Sequence, residues 1–162
     1  MKPLISNVVI AVSGTNASIL AAKYAIVMAK TYRCKLTAVY VVDAAVIKQL
    51  TLSKIFIPEE AAEYEESMKN NGNRYLAFVE ELGKAKGIKI EKTLRKGAVY
   101  TEILVAADEH KADLILLGGI NKDDATSARD TVGHTQREII TNAKCSVMIV
   151  KEPEIDLIYK KL

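Results

Sequence analysis

The 162-residue chain has little of what ties small proteins together by chemistry: two cysteines, three prolines, eight glycines and two histidines. Cys34 and Cys145 make no disulfide framework, and they are expected as buried or half-buried thiols in a reducing cytoplasm. So few prolines and glycines exclude a collagen-like or Pro/Gly-rich disordered chain. There is no CxxC and no HExxH, and with only His110 and His134 available a dedicated zinc or iron site is not expected. Long apolar runs are missing too. Val8–Val12 and Leu114–Leu117 are short, whereas a membrane-spanning helix needs about 20 apolar residues. Met1–Asn7 carries one lysine but leads into no signal-peptide core of adequate length. Charge of one sign is also scarce. Lys and Arg number 23 against 20 Asp and Glu, so the net charge of +3 is too weak to argue for nucleic acid as the main partner.

What is present is the composition of one soluble domain, 49% hydrophobic and 27% charged. A chain of this length buries roughly 70% of its unfolded surface and needs no metal or disulfide staple. Short apolar runs alternate with helical stripes. Val8–Val12 is a β-branched run ending at the turn cluster Ser13-Gly14-Thr15-Asn16, as in a strand buried on both faces. Ile19, Ala22, Ile26 and Ala29 form one stripe of a helix over about 17–32. Leu36–Val42 is a second strand closed by Asp43. Residues 44–57 suggest a short helix and an irregular segment. Pro58 opens a long helix, with Glu59, Glu60 and Glu63 suited to its positive end.

That helix carries Met68, Tyr75, Val79 and Leu82 on its stripe, with Gly87 as a left-handed cap. Asn70-Asn71-Gly72-Asn73 is a stretch of poor helix formers where a kink is expected. Ile88–Leu94 alternates, as near a sheet edge. A helix over about 98–110 follows, with Tyr100, Ile103 and Ala107 inward. Ala112–Gly119 is the most apolar strand and is expected to be central. After a polar stretch, Val132, Gln136, Ile139 or Ile140, and Ala143 mark the last helix, and Ser146–Val150 the fifth strand. Residues 152–162 read as a short tail whose Ile155, Leu157, Ile158 and Tyr159 stay exposed unless something covers them. Alternation of this kind predicts a parallel sheet with helices on both faces, and ligands at the carboxyl ends of its strands. That directs attention to residues 13–18, 41–43 and 118–135.

Two segments there suit an anion or a nucleoside. Ser13–Ser18 is a polar, glycine-containing turn leading into a helix, which either offers free N–H groups or simply caps the helix. Gly118-Gly119 would let a ligand approach the backbone, and Gly133-His134-Thr135 at a helix start would present N–H groups and a hydroxyl to phosphate; a plain surface loop and a Thr-capped helix fit as well. His134 has no Asp or Ser placed to form a triad with it. His110 fits a helix cap, while Lys122, Arg129 and Arg137 suit either phosphate or a solvated face. The Glu59–Glu66 cluster reads as a solvated helix face, not as paired catalytic carboxylates.

From Asn7 to Val150 the chain resembles the universal stress proteins (the UspA family). The resemblance rests on V-V-I-A-V-S-G-T in the first strand, on Val39-Tyr40-Val41-Val42-Asp43, on Ala112-Asp113-Leu114-Ile115-Leu116-Leu117-Gly118, and on the close Ile139–Val150. It implies a Rossmann-like fold, similar to the adenine nucleotide alpha hydrolases: an open five-stranded parallel sheet in the order 3-2-1-4-5. That order would put Cys34 and Cys145 beyond disulfide reach. It also implies a domain over 1–151 with residues 152–162 as a tail, and a homodimer joined through the fifth strand. ATP-holding members carry G-x-x-G-x(9)-G-S/T after the fourth strand and an Asp closing the first. Here Gly118 fits the first glycine and Gly133 the third with two residues inserted. Asn121 stands at the second, His134 beside Thr135 at the Ser/Thr, and Ser13 at the Asp.

The resemblance therefore implies a site of Ser13, Gly14, Thr15, Val41, Gly118, Asn121, Gly133, His134 and Thr135. Val41 would pack on adenine, and the ligand would be ATP or AMP (with Mg²⁺ if a triphosphate), held weakly or not at all. The expected role is a cytoplasmic regulatory or stress-response module with an unknown protein partner. Ser13–Ser18 also resembles the S-G-G-x-D-S loop of ATP pyrophosphatases at Ser13, Gly14 and Ser18. The alternative is thus an ATP-using enzyme, either an adenylating one or a slow nucleotide hydrolase.

Overall fold

The computed structural model describes residues 1–119 and 129–162. The chain runs β1 (Asn7–Val12), α1 (Asn16–Tyr32), β2 (Lys35–Asp43), α2 (Ala44–Leu52), α3 (Pro58–Lys84), β3 (Ile90–Gly97), α4 (Val99–Glu109), β4 (Leu114–Gly118), α5 (Arg129–Asn142), β5 (Ser146–Val150) and α6 (Ile155–Lys161). The five strands form one parallel sheet in the order β3-β2-β1-β4-β5. The order expected from the family resemblance is the one observed. The most apolar strand, β4, is interior, flanked by β1 and β5, but the centre is β1.

Successive strand residues face opposite sides, which divides the core in two. Val8, Ile10, Leu36, Ala38, Leu114 and Leu116 face α1 and α3. Val9, Val39, Val41, Ile115 and Leu117 face α4, through Ile103 and Ala107, and α5, through Ile139. Of the two isoleucines that fit the α5 stripe, Ile139 is buried and Ile140 exposed. β3 pairs only with β2 and has a wet face, as its alternation predicted.

Helix ends follow local chemistry. Thr15 caps α1 by accepting the Ser18 N–H at 3.2 Å, and Asp43 caps α2 by accepting the Val46 N–H at 3.1 Å. The Glu60 carboxylate accepts the Ile57 N–H at 3.1 Å at the start of α3. Beyond α3, Gly87 closes a Schellman turn: Ile88 N–H donates to the Gly83 carbonyl at 2.8 Å and Gly87 N–H to the Lys84 carbonyl at 3.0 Å. His110 is the C-cap of α4.

α3 is assigned as one continuous helix through Asn70–Asn73. The reason for Gly72 is tertiary: a Cβ there would lie 2.5 Å from the Tyr40 ring and 2.8 Å from Leu94, so the missing side chain lets α3 press onto β2 and β3. The tail is covered in part: it folds as α6 over α1 and the end of α3, with Ile155 and Tyr159 buried and Leu157, Ile158 and Leu162 exposed. Tyr159 OH donates to the Leu82 carbonyl at 2.7 Å, and Asp156 pairs with Lys23. Ile155 and Tyr159 thus cover their own domain.

Both thiols are free. Cys34 is buried just before β2 and Cys145 half-buried just before β5, with β1 and β4 between those strands. Burial pushes both thiols above the ordinary cysteine range, and Asp108 and Asp113 add to this at Cys145. No helix among the described residues is long and apolar enough to cross a membrane.

Candidate functional site

The register places the candidate residues relative to one another. Val12 pairs with Tyr40, so Ser13 stands level with Val41; Ile10 pairs with Leu116, so Val12 stands level with Gly118. Ser13, Gly14, Thr15, Val41 and Gly118 therefore gather at the carboxyl ends of three adjacent strands. Ser13 and Thr15 are exposed and Val41 is buried, facing α4.

The β1–α1 turn is tightly knit. Ser13 N–H donates to Ser18 Oγ at 3.2 Å, Ser18 OH donates to the Thr15 carbonyl at 2.9 Å, and the Ser13 and Thr15 hydroxyls lie 3.1 Å apart. Buried Ser18 is thus fully engaged in holding the turn. Gly14 has φ +77°, a conformation that glycine adopts at least cost. A Cβ on it would meet the Tyr75 ring at 2.5 Å.

Gly118 behaves differently from its sequence reading. A Cβ on it would lie 2.6 Å from the Ala17 carbonyl carbon and 2.8 Å from the Ser18 nitrogen. On the side where a Cβ would stand, the close approach it permits is that of the first turn of α1. At Gly119 the nearest atom to such a Cβ is the Val150 carbonyl oxygen, at 2.9 Å, so protein backbone stands there too. The Gly118 carbonyl accepts from Gln136 Nε2 at 2.8 Å, which ties α5 to the same spot.

The expected helix start at Gly133-His134-Thr135 is also corrected. The chain is already helical at Arg129, so these residues lie at least one turn inside α5. Their N–H groups belong to the intrahelical i→i−4 ladder and are not the free donors of a helix start. His134 is exposed, with its ring edge-on to Tyr100 at 6.1 Å and Nδ1 4.0 Å from the Glu138 carboxylate. Gly133 has nothing among the described residues within 4 Å of a Cβ position. Asn121 and Lys122 lie outside the described residues, as does the side chain of Arg129; Arg137 is exposed.

Sequence reasoning missed two contributors. Gln136 was legible only as a polar residue in a helical stripe, and Tyr75 only as a core position. Tyr75 stacks near Tyr40, with centroids 6.4 Å apart and planes 17° apart, behind the β1–α1 turn. Burial pushes the Tyr40 phenol up, and the neighbouring phenols of Tyr75 and Tyr64 add to it.

On the far side of β2, Arg95 on β3 faces Val41 in register and holds Glu102 at 2.8 Å and Glu109 at 2.9 Å. Those contacts fasten α4 to the sheet. A cavity of about 80 Å³ opens elsewhere, at the amino ends of β4 and β5, lined by Leu104, Ala107, Ile115, Ala143 and Cys145. It is too small for a nucleotide, whose sites typically measure roughly 300–1,000 Å³, and it is remote from the turn.

Comparison with known proteins places this arrangement. The model of the universal stress protein family matches residues 5–151. A universal stress protein of Methanocaldococcus jannaschii is 31% identical over 153 residues, covering 93% of this chain and 85% of that protein. Among solved structures, a universal stress protein in complex with cAMP superposes with a TM-score of 0.61 at 24% identity, covering 90% of this chain and 96% of that one. A universal stress protein of Archaeoglobus fulgidus in complex with dAMP gives 0.58 at 18% identity, covering 91% and 98%. The matched span takes in all five strands and leaves out only the first four residues and α6 with its approach. The chain belongs to the universal stress protein family.

Proposed function

We propose that this chain is a cytoplasmic regulatory module of the stress response that holds an adenine nucleotide weakly at the carboxyl ends of β1, β2 and β4. It acts as a homodimer joined through β5 and signals to a protein partner by its loaded or empty state. The observation that carries this reading is the gathering of the exposed Ser13 and Thr15 hydroxyls beside Val41, at the open end of the sheet, in a fold whose solved relatives include complexes with cAMP and dAMP. In it, adenine lies near Val41, the sugar near Ser13, and phosphate toward Gly118 and the exposed side of α5 at Gly133, His134 and Thr135.

Binding is weak because contacts are missing. Ser13 is shorter than an Asp and uncharged, and Asn121 stands where the motif has its second glycine. Two lost contacts at about 1.4 kcal/mol each weaken binding roughly 100-fold. Among the described residues the Ser13 hydroxyl has the Thr15 hydroxyl beside it at 3.1 Å, and the proposed role is that of a binding protein.

Titration calorimetry with AMP, cAMP and ATP tests it. Dissociation constants of tens of micromolar or weaker are expected. Submicromolar ATP affinity would overturn the assessment of the site, and no binding of any of the three at millimolar ligand would overturn the nucleotide itself. Gly133→Val puts a side chain into open space on the helix. It should abolish binding and leave the fold intact; unchanged affinity would place the ligand elsewhere.

A further inference from the structure

Tyr75 is the residue of α3 that reaches the β1–α1 turn. Its ring edge takes up the space a Cβ on Gly14 would fill, with Cε2, Cζ and Cδ2 at 2.5, 2.8 and 3.1 Å from that position. The ring is itself held in place: Tyr40 of β2 stacks near it, and the Arg74 guanidinium lies 6.0 Å from its centroid. Tyr40 is buried in β2 and lies against Gly72, one turn earlier on α3. β2, α3 and the turn are thus linked through two tyrosines.

The turn has need of such a backing. Gly14 gives it a residue with few conformational limits, and an unbacked glycine loses more freedom on ordering than any other residue. On the inner side the Tyr75 ring is what stands against Gly14.

We propose that Tyr75 is a positioning residue for the nucleotide: its ring fixes the conformation of Ser13-Gly14-Thr15 before a ligand arrives, so that both hydroxyls already face the crevice. This inference rests on the nucleotide reading given above and assigns α3 a part in it. Ordering one backbone residue costs about 1–2 kcal/mol, so a ligand that must order Gly14 for itself binds about tenfold more weakly.

The test separates the turn from the ligand. Amide exchange at Ser13 and Ser18, whose N–H groups are bonded within the turn, reads its order without any ligand. The α-protons of Gly14 carry a ring-current shift as long as the Tyr75 ring is against them. Calorimetry with AMP and cAMP reads affinity. Tyr75→Ala should speed exchange at Ser13 and Ser18 about tenfold, remove the shift at Gly14 and weaken both nucleotides about tenfold. Tyr75→Phe, which keeps the ring, should preserve all three. If alanine at this position unfolds the chain, Tyr75→Leu keeps apolar bulk without the ring and should show the same losses in a folded protein.

Unchanged exchange in a folded Tyr75→Ala or Tyr75→Leu variant overturns the inference, and so does faster exchange with unchanged affinity. A wild type that binds none of the nucleotides overturns the functional reading and with it any role of Tyr75 in binding. A wild type that binds while the variants bind equally well overturns the inference alone.

Discussion

Replacing Gly118 by alanine puts a methyl carbon 2.6 Å from the Ala17 carbonyl carbon and 2.8 Å from both the Ala17 oxygen and the Ser18 nitrogen. Ordinary van der Waals contact begins at 3.4 Å, so about 0.8 Å must be recovered by movement. All three obstructing atoms are backbone of the first turn of α1, so no side chain can swing aside. The strand cannot retreat easily either, because Gln136 holds the Gly118 carbonyl from the other face. Overpacking of this kind costs about 1–3 kcal/mol. For a domain of this length that is roughly 2–4 °C in Tm per kcal/mol, so a mid-range cost of 2 kcal/mol gives a fall of about 4–8 °C.

Differential scanning calorimetry without ligand is the assay, and Gly133→Ala is its control. No described residue lies within 4 Å of a Cβ on Gly133, and Gly→Ala inside a helix stabilises by about 0.5–1 kcal/mol. The same chemical change should therefore lower Tm at Gly118 and raise it at Gly133. A Gly118→Ala protein melting within about 1 °C of wild type would refute the packing argument and restore Gly118 as a place left open for a ligand.

Asp113 accepts the Ser6 and Asn7 N–H groups at 2.8 and 3.0 Å, and those bonds, with help from Lys2, hold its carboxyl below the usual carboxylate range. A depressed folded pKa contributes stability above the unfolded value near ~3.9 and loses it as pH falls through the folded value. Asp113→Asn should thus be less stable than wild type at pH 7 by urea unfolding, with the gap closing in acid below about pH 4; a gap independent of pH would count against the charged pairing. Tyr159→Phe deletes the bond to the Leu82 carbonyl and should cost about 0.5–1.5 kcal/mol in urea unfolding, and an unchanged midpoint would mean that α6 is held by its apolar face alone. The outer edge of β5, which among the described residues pairs with β4 alone and carries no proline or lysine, should join two chains. Sedimentation should find a dimer at micromolar wild type and a monomer for Ile149→Pro, while a monomeric wild type would defeat the proposal.

The sheet was legible because its strands are short β-branched runs between helical stripes, a pattern that depends on local spacing alone. The order of the strands came from family resemblance, since spacing leaves several right-handed arrangements open. Glycine was where the sequence was least informative. Gly72 looked like a weak point in a helix and Gly118 like an opening for a ligand, yet each is a place where one element presses on another. The missing side chain is the same in every case, and only the neighbour decides its meaning. The cover over the tail was not legible for a similar reason. Ile155 and Tyr159 have no burial pattern of their own, and the surface that covers them is made by α1 and the end of α3. Part of the candidate site, at Asn121, lies outside the described residues.

These contacts also separate the fold from the ligand. Gly118 against α1, Gln136 on the Gly118 carbonyl, Ser18 within the turn and Tyr75 behind Gly14 hold the open end of the sheet together with protein atoms only. None of them uses the Asp or the second glycine that nucleotide-holding members of the family carry and this chain replaces with Ser13 and Asn121. On the proposed reading, these contacts keep the open end of the sheet in place while Ser13, in place of an Asp, weakens the hold on a nucleotide. Affinity can drift in such a protein without a cost in stability, because the groups that read the ligand and the groups that hold the strands are different groups. On the proposed reading the exposed Ser13 side chain belongs to the first set; Thr15, which caps α1, buried Ser18, and Gly118, packed against α1, belong to the second. Substitutions in the first set should change binding with little change in Tm, and substitutions in the second should change Tm whether or not a nucleotide is present.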